Sequence, residues 1–201
     1  MKIDFKKTID SYKAKHNVFQ VLTAAKMQYL MIDGHGEPGN KAYLDAVSTL
    51  YPVAYALKFA SKAIAKDYVV PPLEGLWWAD DWSAYTENRR EEWDWTMMIM
   101  TPEWIDQSMF ATAIDKVADK NLPSINKLQL EEINEGLCVQ LLHIGSYSDE
   151  GPILKKLHEE FIPDNDYKMT GKHHEIYLGD PRKVAPEKLK TILRQPIEPA
   201  K

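Results

Sequence analysis

The stretch HHEIYLGDPR, His173 to Arg182, has an earlier copy in EGLWW, Glu74 to Trp78. Each copy places a glutamate two positions before an apolar or aromatic residue, inside a short run with the character of a strand. A buried carboxylate is costly unless it faces water, a partner or a ligand. Two glutamates in matching places therefore predict a duplicated fold with a pocket between its halves.

The segments around these two strands follow the same order in each half. The first half predicts a strand, a helix that Pro52 should kink, and two further strands, at residues 27–33, 41–65, 73–78 and 93–100. The second half predicts a strand, a helix and two strands, at residues 137–144, 153–161, 173–178 and 189–194. A helix that starts at Thr101 and Pro102 joins the halves. Each half thus reads β-α-β-β.

Bulk properties narrow the class of protein. The 201 residues fit a single domain, with a polar lead at 1–25, a first half with the linking helix at 26–120, and a second half at 121–201. The net charge of −5, without a basic stripe, argues against direct binding of nucleic acid. Cys138 is the only cysteine, which favours a reducing compartment. The N-terminus has no apolar signal core and no run is long enough to span a membrane, so we expect a cytoplasmic protein.

Strand alternation predicts which side chains near Glu175 share a face. His173, Glu175 and Tyr177 should point one way, into a cleft, while residues 174, 176 and 178 pack under the helices. Matching the two copies puts Glu74 and Trp78 on the cleft face as well. Carboxylates beside aromatic rings can hold a planar, partly cationic or electron-poor ligand. The alternative is that Glu175 pairs with an arginine or lysine at the sheet surface.

Five longer strings carry a family resemblance: LMIDGHGEP, PLEGLWW, WTMMIMTP, CVQLLHIGSYSDEGP and HHEIYLGDPRKVAPEKLKTILRQPI. They resemble the GyrI-like small-molecule-binding proteins, which share a fold with the effector-binding domains of AraC-type and MerR-type regulators. The resemblance implies an α+β fold of two β-α-β-β modules related by a pseudo-two-fold axis. It also implies an antiparallel sheet with helices on one side and a ligand cleft between the halves. By the same resemblance Glu175 lies in that cleft, and Tyr147 is the tyrosine of the G-x-Y turn.

The resemblance also suggests activities. Some stand-alone members hydrolyse cyclopropanoid genotoxins, and others are described as gyrase-protecting or gyrase-inhibiting. The first hypothesis is therefore a detoxifying hydrolase in which Glu175 deprotonates water, Tyr147 orients it and Trp78 stacks on the substrate. The alternative is non-catalytic binding or sequestration of cationic or aromatic compounds. A gyrase-modulating role is a third option, for which a charge of −5 is mild.

The remaining candidates have smaller expected roles. Glu74 is a second carboxylate or a rim residue, Trp82 and Tyr85 form a lid, and His143 either supports the site or is a core histidine. Trp77 and Trp95 are expected in the core. No metal site is expected, because adjacent His173 and His174 point to opposite faces and no other residues complete a ligand set. The glycine pattern fits no phosphate loop, so no cofactor is expected. Free edge strands leave a weak homodimer possible.

Overall fold

The computed structural model describes residues 2–81 and 89–201. Over these ranges the strands, numbered in chain order, are β1 Gln20–Ala24, β2 Met27–His35, β3 Leu73–Trp78, β4 Asp94–Thr101, β5 Gln129–Ile133, β6 Gly136–Ile144, β7 Tyr167–Met169, β8 His173–Tyr177 and β9 Lys190–Pro199. The α-helices are α1 Phe5–Thr8, α2 Lys41–Ala63, α3 Gln107–Lys116, α4 Gly151–Lys156 and α5 Ile162–Asp164. A π-helical turn, Leu157–Phe161, joins α4 to α5. The predicted α+β class is confirmed.

The chain divides into two compact units. Unit 1 comprises the chain up to Thr8 together with Met27–Ile133, and unit 2 comprises Ile9–Lys26 together with Asn134–Lys201. Each unit has its own antiparallel strands and its own helices. No helix in the described ranges combines the length and the apolar sequence needed to cross a membrane.

Unit 1 has four strands in the order β3-β4-β2-β5, each antiparallel to its neighbour. Helix α2 packs against β2 and β4. It fully buries Leu50, Val53 and Leu57, whose spacing of three and four residues places them on one helix face. The Asn40 side chain caps its first turn. The helix continues through Pro52 to Ala63, so the proline does not end it.

The linking helix starts later than the sequence suggested. Its first residue is Gln107 rather than a residue near Thr101, because the side chain of Asp106 accepts a hydrogen bond from the Met109 backbone N–H and caps the helix there. Thr101 instead ends strand β4. A proline after a threonine is therefore compatible with a strand end as well as with a helix start.

Unit 2 repeats the strand order of unit 1: its order β8-β9-β6-β1 corresponds strand by strand to β3-β4-β2-β5. The neighbours are again antiparallel, and β7 pairs with β9. Gly36 and Gly145 follow the equivalent strands β2 and β6, and both have positive φ, 95° and 151°. Glycine adopts such backbone angles more readily than other residues. The duplicated β-α-β-β order is therefore confirmed.

The sequence pattern does not predict β1, β5 or β7. Strands β1 and β5 are the outer strands of their units and have mixed, partly polar sequences, while β7 is three residues long. Short strands of this kind carry little periodicity. The polar lead predicted at 1–25 thus contains a strand that pairs with β6.

Candidate functional site

The carboxyl group of Glu175 lies beside two residues on the same face of β8, and one of them hydrogen-bonds to it. The Tyr177 hydroxyl donates a hydrogen bond to Glu175 Oε2 at 2.7 Å, and His173 Nε2 lies 3.6 Å from Glu175 Oε1. Neither partner is the arginine or lysine of the alternative interpretation. The Glu175 side chain is 17% exposed. The expected grouping of His173, Glu175 and Tyr177 on one face is confirmed, and it produces a carboxylate of fixed orientation.

The face that carries Glu175 is the one covered by the helical segment of unit 2, which corrects our assignment of the two faces. Glu175 lies across from Leu193 of β9, and Leu193 packs with the buried helical residue Leu157. Cross-strand partners share a face of the sheet. His174, which we expected under the helices, instead contacts Glu135 on the other face. Alternation identifies which residues share a face, but not which face a helix covers.

Tyr147 packs against Tyr177, the residue that hydrogen-bonds to this carboxylate. It begins a 3-10 turn, Tyr147–Asp149, after β6, and its ring packs edge-on against the Tyr177 ring with centroids 5.6 Å apart. Its side chain is 39% exposed. Tyr177 therefore contacts both the Glu175 carboxylate and the Tyr147 ring, and it links Tyr147 to the carboxylate.

Glu150, which the sequence analysis does not single out, is a second acidic residue of this cluster. It is 4% exposed and precedes α4. Burial first, and then the negative charges of Glu175 and Asp149, raise the pKa of Glu150 to about 9, while the Thr191 hydroxyl partly offsets the rise. Thr191 and Glu150 do not form a hydrogen bond of ordinary geometry, because Thr191 Oγ1 and Glu150 Oε1 are both unpaired within the described chain. At neutral pH Glu150 therefore keeps its proton.

Two histidines belong to this cluster, the buried His173 and the partly buried His158. The His158 ring packs edge-on against the His173 ring, with centroids 6.0 Å apart. His158 belongs to the π-helical turn, a feature that occurs often at functional sites. Burial, with a smaller contribution from His173, lowers the pKa of His158 to about 3. The His158 ring is therefore neutral at physiological pH.

His143 supports the turn that carries Tyr147. Its Nε2 atom lies 3.2 Å from the backbone oxygen of Ser146, and it faces Thr191 across β6 and β9. A groove of about 420 Å³ runs past His143, Asp149 and Lys156. Glu175 does not line this groove, so the groove adjoins the carboxylate cluster without containing it.

The other predicted ligand residues belong to unit 1. Glu74 is fully buried on β3, and Trp78 ends that strand, partly exposed and opposite Asp94. Trp82 and Tyr85, predicted to form a lid, lie outside the described residues. Trp77 and Trp95 are buried, as expected.

A buried ionic network lies on the other face of the unit 2 strands. Arg194, fully buried, donates to Glu135 Oε2 at 2.7 Å and to Gln140 Oε1 at 3.0 Å. Its Nη2 donates to the backbone oxygen of Ser11 at 2.6 Å, and Glu135 Oε1 is 2.9 Å from His174 Nδ1. This network ties the N-terminal segment of unit 2 to its strands, so we assign it a structural role.

No group of three or more potential metal-ligating side chains occurs within residues 2–81 and 89–201. Of the histidines in the cluster, His173 lies beside the Glu175 carboxyl group, and His158 packs against His173.

Comparison with known proteins identifies a family and several solved structures that this chain resembles. The sequence matches the GyrI-like small molecule binding domain over residues 18–198. It is similar to an uncharacterized conserved protein from Listeria innocua, at 35% identity with a TM-score of 0.87, and to a hydrolase from Listeria innocua, at 35% identity with a TM-score of 0.84. Both similarities cover 98% of this chain and 100% of the other.

More distant similarity extends to the fold alone. The C-terminal domain of EcmrR matches at 12% identity with a TM-score of 0.58, over 90% of this chain and 98% of that domain. No protein of curated function matches the sequence. Because the family match spans both units, this chain belongs to the GyrI-like small-molecule-binding family.

Proposed function

We propose that this protein is a detoxifying hydrolase of small aromatic electrophiles of the cyclopropanoid type. The observation that carries the proposal is the Glu175 carboxylate, held at 2.7 Å by the Tyr177 hydroxyl and shielded from most solvent. A general base must be positioned before it can act, and the hydrogen bond from Tyr177 orients the Glu175 carboxyl group. The similarity to a Listeria innocua protein described as a hydrolase supports the same reaction type.

Glu175 acts as the general base in this reaction. It takes a proton from water while the water oxygen forms a bond to the strained cyclopropyl carbon. The carbon–carbon bond that breaks leaves its electron pair in the conjugated ring system, ending on the carbonyl oxygen. That oxygen then takes up a proton, so the product contains the elements of one water molecule.

Further side chains have assigned roles in the proposal. Tyr177 orients Glu175, and Tyr147 donates a hydrogen bond to the water or to the carbonyl oxygen as charge builds there. The ligand contacts assigned to Trp78 and Glu74, and the lid assigned to residues 82 and 85, stay predictions. Each can be tested by single substitution with the same assay.

The test is to incubate the purified protein with a duocarmycin-type cyclopropanoid and follow the products by mass spectrometry. We expect a water adduct to form faster than in buffer. Glu175→Gln should reduce the rate by about 100-fold or more, and Tyr177→Phe by a smaller factor, because the base loses its orienting partner. Glu187→Gln, an exposed glutamate of the same unit, is the matched control. Full activity in correctly folded Glu175→Gln would refute the mechanism.

Binding without turnover is the second candidate. A carboxyl group that contacts Tyr177, whose ring packs against Tyr147, also suits a cationic aromatic ligand. In that case equilibrium dialysis would show retention of the compound, and mass spectrometry would recover it unchanged. Binding that is weakened by Glu175→Gln, with no adduct, would favour sequestration over hydrolysis.

A further inference from the structure

Glu150 is a buried acid that the mechanism above leaves without a role. Its Oε1 atom is buried and has no hydrogen-bond partner in the described part of the chain. It occupies the N-cap position of α4, yet its side chain makes no capping hydrogen bond. A buried polar atom without a partner is costly. Helix capping therefore does not explain why a carboxyl group is kept at this position.

The surroundings of Glu150 contain acids and neutral groups. The groups that act on its carboxyl are Glu175 of β8, Thr191 of β9 and Asp149 of the preceding turn. Thr191 faces Tyr177 on one side and His143 on the other. The titratable residues near this face of unit 2 include His143, Tyr147, Asp149, Lys156, His158, Tyr167, His173, Glu175 and Tyr177. No cation is among the described groups that shift the Glu150 pKa.

We propose that Glu150 is the proton donor of the hydrolysis and that it works with Glu175 as an acid–base pair. This inference rests on the hydrolase function proposed above. Two carboxyl groups in one site take different roles when their environments differ. Glu175 accepts a hydrogen bond from Tyr177, whereas the Glu150 carboxyl group is buried with its Oε1 atom unpartnered in the described chain, and burial favours its protonated form.

The proton transfers balance over one turnover. As water attacks the strained carbon, Glu175 takes one proton from the water and the carbon–carbon bond breaks. The electron pair of that bond ends on the carbonyl oxygen of the substrate, which takes the proton of Glu150. Glu175 then passes its proton to Glu150, and the starting state is restored. The substrates of this pair are electrophiles whose displaced electrons reach a basic oxygen.

The protonation state of Glu150 can be tested without substrate. The carbonyl stretch of a buried protonated carboxyl group should be present in the infrared spectrum at pH 7, and it should be lost in Glu150→Gln. In the wild type the band should also disappear as the pH rises through about 9. A missing band, or one that Glu150→Gln leaves in place, would overturn the proposal.

The change in Tm caused by Glu150→Gln is an independent test of the protonated Glu150 carboxyl group. In the unfolded chain Glu150 ionises near its ordinary pKa of 4.5, and this ionisation favours unfolding at pH 7. Glu150→Gln should therefore raise the Tm at pH 7. A residue kept for structural reasons would lower the Tm when replaced, and that result would count against the proposal.

The donor role is tested by the pH dependence of cyclopropanoid hydrolysis. The wild-type rate should fall as the pH rises through about 9, because the donor loses its proton. Glu150→Gln should lower the rate at neutral pH by about 100-fold or more and remove this alkaline limb. Asp149→Asn removes a charge that raises the Glu150 pKa, so its alkaline limb should move to lower pH. This second variant decides the question if Glu150→Gln does not fold.

The outcomes separate the two proposals. If Glu150→Gln hydrolyses at the wild-type rate while Glu175→Gln does not, Glu150 is not the donor and the hydrolase function stands. If the wild type forms no adduct at all, both the donor role and the hydrolase function are wrong. An alkaline limb that Asp149→Asn does not move would also overturn the donor role.

Discussion

Replacing Glu135 with glutamine should lower the free energy of unfolding of unit 2 by about 3 kcal/mol at pH 7. Burial alone would raise the pKa of Glu135, but the contacts with His174 and Arg194 outweigh it and lower the pKa from 4.5 to about 2. Each tenfold change in proton affinity corresponds to about 1.4 kcal/mol, so this difference is worth about 3 kcal/mol. Removing one partner of a buried ion pair costs about 3–5 kcal/mol, which agrees.

The sign of the pH dependence follows from the lowered pKa. The contribution of Glu135 is fully present above its unfolded pKa, near 4.5, and is lost as the pH falls toward 2. The wild type should therefore lose stability across this window, and Glu135→Gln should lose about 3 kcal/mol less over it.

The assay must report on unit 2. All six tryptophans lie between Trp77 and Trp104, within unit 1, so hydrogen exchange of peptides from β6 and β9 in graded urea is the suitable probe. Glu187→Gln should change stability by less than about 0.5 kcal/mol, because Glu187 is exposed. A loss below about 1 kcal/mol for Glu135→Gln, or an unchanged acid dependence, would refute the reasoning.

Three further substitutions test other parts of the structure. Ala65, which follows the end of α2, has a φ of 63°. The backbone N–H groups of residues 66 and 65 donate to the carbonyl oxygens of residues 61 and 62, which is a Schellman motif, and glycine is the usual residue at the position of Ala65. Ala65→Gly should therefore raise the free energy of unfolding of unit 1 by about 1 kcal/mol, as measured by tryptophan fluorescence in urea. A lower free energy of unfolding in this variant would contradict the prediction. Gly34→Ala should lower the free energy of unfolding of unit 1 by about 1–3 kcal/mol, because the added Cβ would lie 2.1 Å from Trp95 Cη2. An unchanged urea midpoint would contradict this prediction. Neutral His158 contributes stability above pH 6.5 that is lost toward pH 3, so His158→Gln should show a weaker acid dependence by hydrogen exchange, and identical profiles would argue against this.

Sequence periodicity accounts for much of the fold and for the grouping of His173, Glu175 and Tyr177 on one face of a strand. The two glutamate-bearing strands and their neighbours repeat in the predicted order, because alternation and turn residues are local signals. The burial of Glu150 cannot be predicted from the sequence. An acidic residue before a helix is common, and the strands that bury Glu150 are distant from it in sequence. The ion pair between Arg194 and Glu135 cannot be predicted from the sequence either, because the two residues are 59 positions apart. Contacts of this kind appear only when the strands are assembled.

The two units differ in how their chain segments are ordered, and this has a consequence for biosynthesis. The strands of unit 1 come from one continuous stretch, whereas unit 2 combines segments on both sides of that stretch. Strand β1 pairs with β6 from Gln20 to Gln140, and Ser11 meets Arg194 across 183 residues. On the ribosome, the sheet of unit 1 can close while β1 still lacks its partner, and such long loops close slowly. Glu175 and its neighbours therefore belong to the part of the protein that matures last, after residue 194 has been made.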